Sequence, residues 1–405
     1  MPPTQDPHRI KRTMSLREKS GQKPGGQSGH PGYSLESSLE PDKVIVHQPS
    51  YCSACGRDLS ETEAIFEGKR QVIDIPPVIP QVIEHWIYSR QCCCGHKQES
   101  VYPQQAHSPV CYGENLLGMT AYFHSRQYIP FDRLREMYRD IFGLEISSGT
   151  LVQMIQRFAG KAGGIYETIR QRIAQSPCVG ADETGVCIKG KNHWAWTFQT
   201  ENATWITIDA SRGKKVIECN FQEGFPVSTL VHDCWKPYFN TPAQAHQVCT
   251  AHLLRELKYL GQLYNDEWPK SFRELLTDAM QVKKKLVPVD YLQPVEERKS
   301  LEERLDKLLQ QSLNVKYNKL IAFQNRMILY RQHLFRFLYQ PDVPGDNNAS
   351  ERAVRTFKVK QKVSGLFRST DGAQAFAVIR SVIDTAIKNS QNVWSALTCL
   401  AAVPE

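Results

Sequence analysis

The amino-acid sequence predicts a mixed α/β core that carries an all-helical insertion, preceded by a cysteine-rich module and a helical region. Three patterns support this prediction: apolar and polar residues alternate at 177–245, helical periodicity runs through 253–340, and cysteines cluster at 51–105. A length of 405 residues allows about two to three domains. We predict five segments: a flexible basic arm at 1–50, the cysteine-rich module at 51–105, a helical region at 106–176, an α/β domain at 177–371 with its insertion at about 255–340, and C-terminal helices at 372–405.

The composition is that of an ordinary globular protein with a basic bias. Hydrophobic residues make up 41% of the chain, and 50 Lys and Arg outnumber 42 Asp and Glu, which gives a net charge of +8. This balance permits nucleic-acid binding without requiring it. No apolar run reaches the length of about 18 residues that suggests a membrane span, so we expect a cytoplasmic protein with no membrane partner. In a reducing cytosol, clustered cysteines indicate metal ligands rather than disulfides.

The basic arm at 1–50 contains few apolar residues and the glycine-rich run GQKPGGQSGHPG at 21–32. Such a composition favours a flexible segment that contacts phosphates, with a simple linker as the alternative.

Two cysteine clusters predict a structural zinc site. Cys52 and Cys55 form a CxxC pair followed by Gly56, and the run QCCCGH at 91–96 provides a second turn of the same kind. Predicted strands at 71–75 and 81–89, which flank a Pro-Pro turn, would join the two turns into a zinc ribbon with four thiolate ligands. We assign Cys92 and Cys94 as the second pair.

The choice within the second cluster stays open, because Cys93 or His96 could replace one of these ligands.

The region 106–176 is predicted to be helical, with three helices. Helices are predicted at 113–126, at 131–142 with an end at Gly143, and from a cap at Ser147 or Ser148 onward. A helix, a glycine turn and a capped helix outline a helix-turn-helix, although any small helical bundle shows the same pattern.

Two predicted strands each deliver an aspartate where the strand ends. The run 178–181 ends at Asp182, and 228–231 ends at His232 and Asp233; strands at 186–189, 193–200 and 204–209 lie between them. A single such aspartate is more often a cap or turn residue, but two on neighbouring strands indicate a reactive site. Cys249 and His252, one turn apart on a predicted helix, cannot close a metal site by themselves, so packing is the favoured role.

The stretch VPGDNNASERAVRTFKVKQKVSGLFRS at 343–369 predicts a capped helix with one carboxylate, Glu351, near its start. The charged residues that follow it are all basic: Arg352, Arg355, Lys358, Lys360, Lys362 and Arg368. The alternative is a solvated helix in which Glu351 pairs with Arg355. Three converging carboxylates would repel one another unless cations lie between them. Asp182, Asp233 and Glu351 are therefore candidate ligands for two Mg²⁺ (or Mn²⁺) ions, beside a basic surface suited to nucleic acid.

Four ordered motifs resemble the insertion sequence 66 family of DDE transposases. They are GADET at 180–184, HDCWKPYF at 232–239, CTAHLLREL at 249–257 and DNNASERAVR at 346–355. KSGQKPGGQSGHPG and the CSACG…CCCG pair also resemble the family's zinc-binding region. The resemblance implies a ribonuclease H-like fold, a catalytic triad of Asp182, Asp233 and Glu351, and zinc on Cys52, Cys55, Cys92 and Cys94. The opening MPPTQDP resembles a stretch that follows a helical segment in family members, so we expect the chain to start inside that stretch.

We therefore expect a transposase that binds the terminal inverted repeats of its element, cleaves a phosphodiester and joins the end to target DNA. It would act as a homodimer or higher oligomer on DNA, with accessory proteins of the same element, in the cytoplasm at the nucleoid. The alternatives are an inactive or truncated transposase that acts as a DNA-binding repressor, and a ribonuclease H-like nuclease.

Overall fold

In a computed structural model of the chain, residues 35–404 are described, together with Gly25, Gly29 and Gly32. Most of the predicted basic arm therefore lies outside the described residues. The described residues fall into two compact units, 35–79 and 80–404, and the boundary lies between the two cysteine clusters. Within these ranges, none of the helices combines the length and the apolar character needed to cross a bilayer.

The unit at 35–79 contains a tight turn at its cysteine pair. Cys52 N–H donates to the Arg57 carbonyl (2.8 Å) and Gly56 N–H donates to the Cys52 carbonyl (2.9 Å). Gly56 has a φ of 75°, in the left-handed region that favours glycine. The predicted strand at 71–75 is wrong: these residues form no strand, and the proline pair that follows them supplies no N–H donors for a ladder.

The second cysteine cluster lies on a short hairpin in the unit at 80–404. Strands β1 (Ser89–Gln91) and β2 (Lys97–Glu99) pair antiparallel, and Gly95, with a φ of 87°, forms the turn between them. The predicted strand at 81–89 is therefore wrong except for Ser89, where β1 begins.

The region before the sheet consists of helices, as predicted. They are α1 (Glu114–Ala121), which continues as a π-helical turn (Tyr122–Arg126), α2 (Phe131–Phe142), α3 (Ser148–Lys161) and α4 (Gly163–Ala174). Gly143 ends α2 with a φ of 66°, and the Ser147 hydroxyl caps α3 by accepting a hydrogen bond from Thr150 N–H (3.0 Å). The inner face of α3, including Phe158, shares one hydrophobic core with sheet residues such as Trp196.

A five-stranded mixed sheet follows, in the order β5-β4-β3-β6-β7. Its strands are β3 (Cys178–Ile188), β4 (Lys191–Gln199), β5 (Thr204–Asp209), β6 (Phe225–His232) and β7 (Ala243–Val248). β3, β4 and β5 are antiparallel, whereas β6 runs parallel to β3 and β7 runs parallel to β6. Short helices α5 (Lys214–Asn220) and α6 (Lys236–Phe239) lie on either side of β6 in the chain.

The prediction that one strand ends at Asp182 and another begins at 186 is wrong. β3 is continuous because it stays in register with β4 from the Gly180–Gln199 pair to the Ile188–Lys191 pair.

The helical insertion comprises α7 (Thr250–Tyr264), α8 (Glu267–Lys285), α9 (Glu296–Gln310) and α10 (Asn318–Leu329). Its apolar faces form their own core around residues such as Phe272 and Leu305, which also takes in Val231 and Val248 of the sheet. The chain closes with α11 (Asn348–Ser364), α12 (Thr370–Lys388) and α13 (Val393–Ala401).

Candidate active site

Asp182 lies on β3 and Asp233 directly follows the neighbouring parallel strand β6, and the two residues belong to the same face of the sheet. Gly180 of β3 is opposite Val231 of β6, so the same register continued by two residues places Asp182 opposite Asp233. Side chains alternate along a strand, and Val186 of β3 packs with Phe357 of α11. Both carboxylates therefore point to the face that α11 covers.

The start of α11 is fixed against β3 beside Asp182. The Asn347 side-chain amide donates to the Ala181 carbonyl (2.6 Å), and the Ser350 hydroxyl donates to the Asn347 side-chain oxygen (2.6 Å). This approach requires a glycine at 180, because a Cβ there would lie 2.6–2.7 Å from polar atoms of Gln199, Ser350 and Asn347. Asn347 thus attaches the helix to the sheet with support from Ser350, whereas Asp346 accepts a hydrogen bond from Asn348 N–H (3.0 Å) at the start of the helix.

The predicted triad is close enough for its charges to interact. Burial raises the pKa of Asp182 well above its usual range, and the negative charges of Glu183, Asp233 and Glu351 raise it further. Burial and the charge of Glu183 raise the pKa of Asp233 to about 6, although the Trp235 N–H and nearby arginines oppose this shift. A set of carboxylate oxygens matches the ligand preference of Mg²⁺. A bound cation would relieve the repulsion between the carboxylates that raises these pKa values.

Glu351 is 8% exposed and is held by cations from two helices. Its Oε1 accepts a hydrogen bond from Arg255 and lies 3.5 Å from His252 Nδ1, while its Oε2 is 3.3 Å from Arg355. The Glu351–Arg355 contact is the pair that the alternative interpretation of this helix predicted. Glu351 makes this contact while its charge also acts on Asp182. Pairing with Arg355 and membership of the carboxylate site therefore do not exclude each other.

Glu183 belongs to the site, although the sequence reasoning did not select it. Its Oε1 accepts hydrogen bonds from Arg212 (2.9 and 2.7 Å), and its Oε2 accepts one from the Tyr238 hydroxyl. Arg212 lies between the rings of Trp194 and Trp235, 4.6 Å from each centroid. The signal in the sequence was the acidic pair in GADET together with the aromatic residues of HDCWKPYF.

The predicted DNA-contacting residues of α11 and its C-terminal flank divide into two groups. Five of them are exposed or partly exposed: Arg352, Arg355, Lys358, Lys362 and Arg368. The predicted DNA contact of Lys360 is wrong, because this residue is only 5% exposed and its Nζ is 3.0 Å from His124 Nε2 in the interior. Burial lowers the pKa of Lys360 to about 8. Because of its contact with His124, this lysine joins α11 to the N-terminal helices instead of facing DNA.

Each cysteine cluster presents backbone N–H groups to its first thiol. The N–H groups of Cys55 and Ala54 lower the pKa of Cys52, and the N–H of Cys94 lowers the pKa of Cys92. Stabilised thiolates suit zinc. The assignment of Cys52, Cys55, Cys92 and Cys94 to one ion stays a prediction.

A mixed α/β core with carboxylates gathered on one sheet face is consistent with a nuclease-like enzyme, and the comparisons define the class. Residues 109–375 match the family described as "Transposase IS66 family", and residues 49–95 match the "zinc-finger binding domain of transposase IS66". The chain therefore belongs to the insertion sequence 66 family of transposases, as its motifs predicted, and the second match supports a structural zinc. It is also 33% identical over 86 residues to the uncharacterized protein y4jO of Sinorhizobium fredii (strain NBRC 101917 / NGR234). That match spans 21% of this chain and 27% of the relative.

Proposed function

We propose that this transposase binds the terminal inverted repeats of its element, cleaves the phosphodiester at each element end, and joins the freed 3′-hydroxyl to target DNA. Asp182, Asp233 and Glu351 would form the active site. The observation that carries the proposal is geometric: β3, the end of β6 and the start of α11 bring Asp182, Asp233 and Glu351 to one face of the sheet, although the three residues are far apart in sequence.

The sheet supports a ribonuclease H-like fold for this site. Three antiparallel strands are followed by two parallel ones, and the first aspartate lies on the central strand β3. The second aspartate follows the adjacent strand, and the glutamate lies on a helix that packs on the same face.

We propose that the three carboxylates hold two Mg²⁺ or Mn²⁺ ions. When bound, such ions activate a water or a 3′-hydroxyl and stabilise the departing oxygen of a phosphodiester. The chain's own part is to fix its ligands: β3 holds Asp182, the Trp235 N–H orients the Asp233 carboxylate (2.9 Å), and Asn347 fixes the start of α11. Glu351 would exchange its Arg255 contact for the metal.

DNA would lie along the exposed basic face of α11 and its flank. Arg352, Arg355 and Lys358 would neutralise phosphates beside the carboxylates, and Lys362 and Arg368 would extend this contact. We propose that the zinc ribbon, the helix-turn-helix-like region and the basic arm bind the repeats. The assembly would be a homodimer or higher oligomer at the nucleoid in the cytoplasm, with accessory proteins of the same element.

Glu351→Gln tests the active site. With labelled element-end DNA and Mg²⁺ or Mn²⁺, we expect cleavage to fall at least about 1,000-fold because a metal ligand is lost, while end binding in a gel shift changes little. Glu218→Gln is the matched control, because Glu218 is an exposed glutamate that pairs with Lys214 on α5. A Glu351→Gln protein that cuts as fast as Glu218→Gln would refute the proposed triad.

A further inference from the structure

A second group of donor atoms lies beside the carboxylate site. Cys249 precedes α7, His252 lies one turn along it, and Glu351 lies in the first turn of α11. One potential ligand atom from each of these residues lies within 4.8 Å of the other two. This cluster gives a role to the Cys249–His252 pair, which the sequence alone left as half a metal site.

The donors differ in kind from those of the aspartates. A thiol sulfur and an imidazole nitrogen with one carboxylate suit Zn²⁺, whereas Mg²⁺ prefers oxygen ligands only. Cys249 Sγ accepts a hydrogen bond from Asn347 N–H (3.1 Å). Burial raises the pKa of this thiol to about 12, so Cys249 keeps its proton at neutral pH until a cation displaces it. His252 Nδ1 is buried, has no hydrogen-bond partner among the described residues, and lies 3.5 Å from Glu351 Oε1.

We propose that Cys249, His252 and Glu351 form a binding site for a soft divalent cation such as Zn²⁺. Three protein ligands leave a fourth position for water, as in open zinc sites. Binding displaces the thiol proton of Cys249 to solvent, and the ion takes the place of the Arg255 hydrogen bond at Glu351. Its ligands differ from those predicted for the zinc ribbon, which are Cys52, Cys55, Cys92 and Cys94.

The site has a consequence that rests on the proposed function. Glu351 would be shared between the two sites, so Zn²⁺ held by Cys249 and His252 would withdraw it from the aspartates. Zinc would then inhibit a reaction that Mg²⁺ supports, with a dependence on Cys249 that no competition at the aspartates alone would show.

The first test measures metal content in the full chain. Protein equilibrated with micromolar Zn²⁺ and freed of excess is analysed for bound zinc, for wild type, Cys249→Ser and His252→Gln. We expect each variant to hold one equivalent of zinc less than wild type, and its zinc affinity at this site to fall by more than about 100-fold. Loss of a residue that only supports a ligand lowers metal affinity by about 10–100-fold, so a larger fall identifies a direct ligand. Cys249→Ser keeps an acceptor for Asn347 N–H, and Cys399→Ser, an exposed thiol on α13, is the control.

Spectroscopy separates a ligand from a merely structural residue. Protein loaded with one equivalent of Zn²⁺ is titrated with Co²⁺, and wild type should develop a thiolate-to-cobalt charge-transfer band that Cys249→Ser lacks and Cys399→Ser retains. Equal zinc content and equal cobalt spectra in wild type and Cys249→Ser, in proteins with matching circular dichroism, would overturn the site.

Cleavage tests the consequence separately. In Mg²⁺ with added Zn²⁺, the cleavage rate relative to the zinc-free rate of the same protein should fall at least about tenfold more for wild type than for Cys249→Ser, a difference of about 1.4 kcal/mol. Equal inhibition would refute the competition. Absence of Mg²⁺-dependent cleavage in wild type would instead count against the proposed function and leave the binding result standing.

Discussion

Gly180→Ala should disturb both the stability of the core and the position of Glu351. The new Cβ would lie 2.6 Å from Gln199 Nε2, 2.6 Å from Ser350 Oγ and 2.7 Å from Asn347 Oδ1, whereas ordinary contacts begin at 3.4 Å. The neighbours must therefore move by about 0.7–0.8 Å to reach ordinary contact, and overpacking of this kind costs about 1–3 kcal/mol of unfolding free energy. A shift of about 1 Å at a catalytic group costs about 100-fold in rate, so cleavage should fall to a similar extent.

Urea unfolding and cleavage of element-end DNA measure the two effects. Gly160→Ala is the control, because Gly160 lies inside α3 and a methyl group added there would meet no atom within 4 Å among the described residues. That substitution should stabilise the protein by up to about 1 kcal/mol, since alanine favours a helix more than glycine does. If Gly180→Ala unfolds at the same urea concentration as wild type and cuts equally fast, the tight contact between α11 and β3 is not what fixes the site.

Three further outcomes are expected. In metal-free protein the contribution of Asp233 to the unfolding free energy should decrease as the pH rises from about 4 to about 6, because folded Asp233 keeps its proton to a pKa of about 6 and the unfolded residue does not. Buried histidines such as His232 and His246, whose pKa values burial lowers to about 3 and about 4, contribute in the opposite direction over the same range. In a urea-denaturation series, Asp233→Asn should therefore make the slope of unfolding free energy against pH more positive than in wild type, and an unchanged slope would contradict the shift. Arg212→Ala should cost about 1–2 kcal/mol in thermal or urea unfolding, because it leaves the 2%-exposed Glu183 carboxylate without its cation while the partly exposed arginine contributes less than a buried one; no loss would show that Tyr238 suffices. Cys94→Ser should remove ribbon zinc and make the segment 49–95 sensitive to protease, whereas Cys93→Ser should not; the reverse result would reassign the ligand.

Local signals located the helices and the site residues well. The left-handed glycine at 143 and the cap at Ser147 depend on neighbouring residues only, and the helices they bound were confirmed. Strand β5 begins and ends where alternation placed it, at Thr204 and Asp209. Glu351 stood out because every charged residue that follows it, as far as Arg368, is basic.

Properties that depend on distant partners could not be predicted in the same way. The continuity of β3 through Asp182 comes from its pairing with β4, and the role of Glu183 comes from Arg212 and Tyr238, which follow much later in the chain. Lys360 was misassigned because charge alone suggested exposure, whereas its partner is His124, which precedes the whole sheet in the chain. The strands at 71–75 and 81–89 had strand-like residues but no partner in register.

The attachment of α11 to β3 also orders the events of synthesis. A nascent chain that has emerged only as far as residue 342 already contains both aspartates, yet Val186 and Ile188 still lack Phe357 and Phe376, which cover them in the finished protein. Their strand also lacks the backbone hydrogen bonds between its end and Phe367. Translation must therefore pass Phe376 before this face of the sheet is shielded from water, and a product that stops earlier would present an apolar surface to chaperones and proteases.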